Sequence, residues 1–313
     1  DEFTHLNILY RARSLDEVAA ATGRTLEETR ASMSRGRAAL LAARSRRPRP
    51  QLDDKVLTAW NGLMIAAFAR AGRVIEDRSD YVDVAARAAT FVRSNLWNAD
   101  QGVLLRRYRL GAAGVEAYAE DYAYLIFGLL ELFQASGDAA WLDWVLSLQQ
   151  RLDDLFWDPV DGGWYSTTGK DASVLLRLKD EYDGAEPAAT SVAVLNLLTL
   201  SHLTGDAAMA GRVTKTFGTL GASASMSGRG VPMMLAALST YHAGVAQIVV
   251  VGEPDADDTR ALSEVVRRHY IPTAVVVPVR EAQREPLSRL LPWTSSLHRL
   301  EGRATAFVCR DFA

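Results

Sequence analysis

The sequence predicts a mainly helical protein in which paired helices repeat along the chain, followed by a small α/β unit. Three observations carry this reading. Segments of similar texture recur between residue 53 and about residue 243, with Tyr81 matched by Trp141 and Leu96-Trp97 by Phe156-Trp157 at one offset of 60. The first helix of each repeat is apolar around its circumference, which suits a helix inside a protein. After Gly244 the texture changes to a β-branched run, Gln247 to Val251, of the kind that forms a buried strand.

Taken in order, residues 14–47 hold two helices. Ser14 can cap the first, and Thr25-Leu26-Glu27-Glu28 opens the second with a capping-box pattern. Arg44 to Pro50 ends that helix. The first repeat begins with the apolar stretch from Asn61 to Phe68, and the second with Asp121 to Phe133; each is followed by an amphipathic helix. Turn signals follow at Asn98 to Gly102 and at Asp158 to Gly163. A third copy starts near Thr190, with Gly205-Asp206 echoing Gly137-Asp138, and a further inner helix runs from Val231 to about His242. Repeated pairs of this kind bury their apolar helices against one another, so an inner and an outer ring are expected: an α/α toroid. Beyond Gly244 a strand, a helix over 255–269 and a strand over 273–277 imply a parallel pair with a right-handed crossover. Ala304 to Cys309 supplies a candidate third strand. The expected divisions are 1–50, a helical segment; 51–243, the partial toroid; and 244–313, the small α/β unit.

Composition excludes several classes. The 313 residues carry 35 Lys+Arg against 38 Asp+Glu, without the basic surplus of a nucleic-acid binder. The basic run Arg44 to Pro50 has no interleaved aromatics. No run approaches the roughly 18 apolar residues of a membrane span, so neither nucleic acid nor membrane is expected as a partner. The single cysteine, Cys309, excludes an internal disulfide framework and a multi-cysteine metal site; with no leader pattern, the cytosol is the expected compartment. No HExxH, P-loop or Rossmann glycine pattern is present, so no metal and no cofactor is expected. Asp1-Glu2-Phe3-Thr4 lacks an initiator methionine and Ala313 follows closely on an apolar run, which reads as a piece of a longer protein.

If the inner helices all point one way, their N-terminal loops share a rim. Those loops hold the unusual polar clusters: Asp53-Asp54-Lys55 with Trp60-Asn61; Glu116 and Glu120-Asp121-Tyr122; and Lys179-Asp180-Glu181-Tyr182-Asp183 through Glu186. Carboxylates, lysines and aromatics at one mouth suit a small-molecule site. Acids at helix starts equally suit capping of free N–H groups. The turn Asp161-Gly162-Gly163-Trp164-Tyr165 offers two aromatics for packing or for stacking on a sugar. His202 and His242 read as buried structural histidines.

The string Leu52-Asp53-Asp54-Lys55-Val56-Leu57-Thr58-Ala59-Trp60-Asn61-Gly62-Leu63-Met64 resembles the thioredoxin-domain-containing YyaL family, whose animal members are called spermatogenesis-associated proteins. Glu120 to Ala123, Lys179-Asp180 to Ala185, Ser191 to Ala193, Val249 to Gly252 and Val308 to Arg310 are similar as well. The resemblance implies a thioredoxin-like domain followed by a six-hairpin α/α toroid of the glycosidase and N-acylglucosamine 2-epimerase type. Of that pattern this chain holds roughly the C-terminal half, a partial (α/α)6 toroid with an open edge. The thioredoxin-like domain and the first hairpins are absent from it, and a second cysteine after Cys309 would fall beyond Ala313.

The leading expectation is a carbohydrate-active or carbohydrate-binding toroid, an epimerase or isomerase or a glycosidase-like enzyme, since either chemistry needs two ionisable groups flanking the sugar. Asp54, Asp121 and Asp183 are the candidate catalytic carboxylates, with Lys55 as ion-pair partner or base. Asp53, Trp60, Asn61, Glu120, Tyr122, Trp164, Lys179, Asp180 and Glu186 are the candidate ligand-binding residues. The rim loops contain no epimerase-type histidine pair. The alternatives are a non-catalytic scaffold that presents clients or ligand to the missing thioredoxin-like domain, and a glycan-binding module without turnover.

Overall fold

The computed structural model describes residues 10–170, 172–226 and 228–310. Asp1 to Thr4 and Ala313, on which the expectation of a longer protein rests, lie outside the described residues. The chain divides into two compact units, Asp1–Asp54 and Lys55–Ala313.

In the first unit, helices α1 (Leu15–Thr22) and α2 (Leu26–Ser45) each begin with a complete capping box, at Ser14/Glu17 and Thr25/Glu28. Each pair satisfies two backbone donors that a helix start otherwise leaves free. Helix α1 stops at Gly23, whose φ of 67° is the left-handed conformation that glycine adopts without penalty.

The second unit contains the expected helix pairs: α3 (Thr58–Val74) with α4 (Asp80–Leu96), α5 (Ala119–Ser136) with α6 (Ala139–Phe156), and α7 (Ala189–Thr204) with α8 (Ala207–Met226). The single helix α9 (Pro232–Ala243) follows. Within each pair the two helices pack together, and α3, α5, α7 and α9 pack in sequence as an inner row. This is the packing of consecutive hairpins of an α/α toroid. Helices α5 and α7 are buried almost throughout, as their apolar sequences require.

The α3–α5 crossing is very close. A Cβ on Gly62 would stand 2.5 Å from the Tyr124 carbonyl, and one on Gly128 would stand 2.4 Å from the Gly62 carbonyl oxygen. Backbone meets backbone there, and only glycine fits. One expectation is corrected at this helix: α3 is not buried all round. Trp60, Met64 and Val74 are exposed along one side, because α3 ends the inner row and has α5 as its single inner neighbour.

A small antiparallel sheet fills the first long connection. Strand β3 (Val103–Arg109) pairs with β1 (Val56–Leu57), β2 (Trp97–Asn98) and β4 (Ala112–Glu116). The next connection has similar hairpin character, with a bridge from Trp157 to Trp164.

At the C-terminal end β5 (Ala246–Val251) lies between a parallel β6 (Ala274–Val279) and an antiparallel β7 (Thr305–Arg310), with α10 (Asp257–Arg268) as the crossover. Helix α11 (Glu281–Leu290) is an element the sequence reading missed. It contains Pro286, which reads as a helix breaker but is accommodated here. His242 is exposed, not buried: it sits in the last turn of α9 with its ring edge-on to Tyr241. Among the described residues no helix is long and apolar enough to cross a membrane.

Candidate functional site

The first turns of the inner helices meet at one end of the row, and carboxylates tie them together in pairs. Asp121 Oδ1 accepts the Ala59 N–H at the start of α3 (3.1 Å), while Oδ2 accepts the Tyr118 N–H that opens α5 (3.0 Å) and Arg106 Nη1 (2.8 Å). Asp183 does the same for the next pair. Its Oδ1 accepts the Ala188 N–H before α7 (2.7 Å), and its Oδ2 accepts the Met233 and Met234 N–H groups of α9 (2.7 and 3.3 Å). Each helix start leaves unpaired N–H donors and a partial positive charge, and one buried carboxylate answers two such ends at once.

These contacts give Asp121 and Asp183, the candidate catalytic carboxylates, the capping role that acids at helix starts equally suit. Both are buried, and both oxygens of each are engaged by backbone or arginine donors. Burial raises the Asp121 carboxyl to about 6, against the downward pull of the Tyr118 N–H and Arg106.

Other candidate ligand-binding residues also have partners within the protein. Tyr122 is buried, accepts the Leu104 N–H through its hydroxyl (3.3 Å) and packs its ring against Phe156. Trp164 is fully buried, its indole N–H donating to Asp153 Oδ1 (2.8 Å). Neither presents a face for stacking. Lys179 bonds Asp158 (2.6 Å) and the Gly162 carbonyl (2.7 Å), so it fastens the Gly162-Gly163 turn. Burial alone would raise the Asp158 carboxyl. Lys179, the Val160 and Asp161 amides and the Tyr165 hydroxyl outweigh it and hold that carboxyl well below the usual range. Asn61 is half-buried and donates to the Leu57 carbonyl (2.8 Å), closing the first turn of α3.

What stays open on the rim is a smaller set. Trp60 is 55% exposed and its indole N–H donates to Glu186 Oε1 (2.9 Å). Glu120 accepts Arg106 Nη1 (2.6 Å), the same nitrogen that reaches Asp121, and the Arg106 guanidinium lies 4.8 Å from the centre of the exposed Tyr118 ring. Asp180 and Lys55 are exposed. Tyr124 reports how the acids gather: burial first, then the charges of Glu186, Glu120, Asp180 and Asp183, push its hydroxyl upward. Asp53 and Asp54 end the first compact unit and are exposed.

Sequence reasoning missed Arg106 and Tyr118. Arg106 lies in the alternating strand Val103–Arg109, and its position 15 residues before Asp121 gives no local sign that β3 folds back over the start of α5.

No family model matches the chain. It is 37% identical over 317 residues to spermatogenesis-associated protein 20 of Homo sapiens, a match that takes in 98% of this chain and 40% of that protein. The Rattus norvegicus protein of the same name is 38% identical over 316 residues with the same coverage. The resemblance seen in the Leu52–Met64 string is thus borne out along nearly the whole chain, which spans about two fifths of the length of these relatives. Among solved structures, a GH76 α-mannanase of Bacteroides thetaiotaomicron is 11% identical with a TM-score of 0.42, covering 55% of this chain and 42% of that one. A cellobiose 2-epimerase from Bacillus thermoamylovorans is 13% identical with a TM-score of 0.44, covering 54% and 45%.

Proposed function

We propose, starting from the likeness to spermatogenesis-associated protein 20, that the rim of the inner helices in this chain binds a carbohydrate. The observation that carries this reading is Trp60, an exposed indole held in place by Glu186. A sugar presents a C–H face to an aromatic plane and hydroxyls at its edge. Here the plane is fixed, and the carboxylates of Glu186, Glu120 and Asp180 accept hydroxyl donors around it. Fixing the platform beforehand lowers the ordering cost of binding.

Acid–base work on such a ligand falls to carboxylates that can reach it. Glu186 is exposed and Glu120 partly so, and Lys55 is the exposed base of the set. Asp53 and Asp54 belong to the proposal through the Leu52–Met64 resemblance alone. The division at 50/51 and 243/244, a thioredoxin-like domain in the longer protein and a cytoplasmic location belong to it as well.

The test is isothermal titration of the protein with a panel of neutral mono- and disaccharides, followed by Trp60→Ala and Glu186→Gln. At least one sugar should bind, with affinity falling tenfold or more in Trp60→Ala. If no sugar binds, the carbohydrate reading fails. The scaffold reading then stands, supported by Asp121 and Asp183, which spend their charges on joining helices.

A further inference from the structure

At the other end of the inner row, away from the rim, lies a cavity of about 810 Å³. It is bounded by the last turns of α3 and α5, the middle of α7, the β5–β6 sheet and α10. Leu130, Ile248 and Val250 supply apolar wall, but the polar groups are unusual in number and state.

Arg70 and Arg73, one turn apart on α3, both bind the buried carboxylate of Glu131 (2.6 and 3.1 Å), and Arg73 also donates to Gln134 (3.0 Å). Two guanidiniums share one carboxylate, which leaves a positive charge in excess. Burial lowers the Arg73 pKa, Glu131 offsets part of this, and Arg70 adds to it. Arg70 is shifted the other way, raised by its bond to the same Glu131. Arg280, half-buried and also lining the cavity, forms no ion pair among the described residues. Arg267 shares Glu264 with Arg268. Glu76 and Asp77, in the exposed turn after α3, also line the cavity and are the acids that act on Arg267.

A buried polar atom on α7 adds a second, independent sign. Asn196 is 1% exposed and gives its amide N–H to the Ala123 carbonyl (2.7 Å), while its Oδ1 accepts nothing from the protein. A buried polar atom left unsatisfied is costly and uncommon; one in a cavity carrying surplus arginine charge fits a ligand that brings both a hydroxyl and an anion.

We propose that this cavity binds a small phosphorylated, hydroxyl-bearing molecule. Its phosphate is held by Arg70, Arg73 and Arg280, and a hydroxyl donates to Asn196 Oδ1. Arginine suits this task because its fork matches phosphate oxygens in pairs. The site is distinct from the rim, and its ligand need not be the rim's.

The experiment uses inorganic phosphate as the probe, with chloride at matched ionic strength and acetate as comparison anions. Thermal melts should rise saturably with phosphate, as binding to the folded state requires, and should stay flat with chloride and acetate. Arg73→Gln and Arg280→Gln should each weaken the apparent phosphate affinity at least tenfold, whereas Trp60→Ala should leave it unchanged. Should Arg73→Gln fail to fold, Arg280→Gln decides alone, since Arg280 gives up no ion pair when replaced. No phosphate-specific rise, an equal rise with acetate, a rise that survives Arg280→Gln, or one lost in Trp60→Ala would each overturn the proposal.

Discussion

Asp121 shows how a single carboxylate can suit two roles. From the sequence it is an acid beside a glutamate and a tyrosine at a helix start, which fits catalysis as well as capping. In the fold it joins α3, α5 and Arg106, and its acidity follows from its burial. Its folded pKa of about 6 stands above the ordinary 3.8, so between those values the folded state holds the proton more tightly. Stability from this group is therefore greatest below about pH 4 and declines as pH rises to 6. Asp121→Asn removes that dependence and places an amide donor against donors, at a cost of about 1–3 kcal/mol. Melts from pH 4 to pH 7 should show the gap between wild type and variant narrowing as pH rises; a widening gap would contradict the raised pKa. Asp183→Ala strands three amides, two of them opening α9, and should cost about 2–4 kcal/mol in urea unfolding.

Among the elements, the α3–α5 crossing and the turn after α6 are the points where small changes act most strongly. Gly128→Ala drives a methyl group into the Gly62 carbonyl, and neither backbone can yield without moving a helix. A loss of about 3 kcal/mol, at the upper end for overpacking, is expected in chemical denaturation; a variant as stable as wild type would mean that the helices can separate freely. Lys179→Met removes the ion pair to Asp158 that secures the Gly162-Gly163 turn. Because the Asp158 pKa is depressed in the fold, its stabilisation is present above about pH 4 and is lost as pH falls below it. The variant should therefore be less stable than wild type at pH 7 by about 2 kcal/mol, below the full cost of breaking a buried pair because Lys179 is partly exposed, and the difference should shrink in acid. Circular dichroism melts at pH 7 and pH 3 measure both.

Across the whole second unit, the α/β end is fastened to the helix rows by specific hydrogen bonds. Gln134 on α5 accepts the Val276 N–H of β6 (3.1 Å), Gln283 on α11 accepts the Ala139 N–H at the start of α6 (3.0 Å), and the Trp293 indole donates to the Leu203 carbonyl of α7 (2.8 Å). Residues Lys55–Ala313 form one compact unit, and calorimetry should show them unfolding in one transition. Gln134→Ala should lower that transition without splitting it; two separate peaks would show that the α/β end melts independently.

Much of this was legible in the amino acids. Hydrophobic periodicity and the recurrence of Tyr81 at Trp141 marked the helix pairs, and capping patterns at Ser14 and Thr25 placed two helix starts. The β-branched runs marked β5 and β6. These are local signals, because propensity, periodicity and turn chemistry act over a few residues. The sequence determined that the chain would be a series of apolar and amphipathic helix pairs with acids at the inner starts. Tertiary structure alone decided which acids are spent. Whether a carboxylate is free depends on donors far away in the chain: Ala59 for Asp121, Met233 for Asp183, Trp60 for Glu186. It also decided that Trp164 and Tyr122 are core and Trp60 is surface, since burial is set by which helix lies alongside. The arginine-lined cavity was invisible for the same reason, as α3, α5, α7 and α10 supply its walls and only folding brings them together.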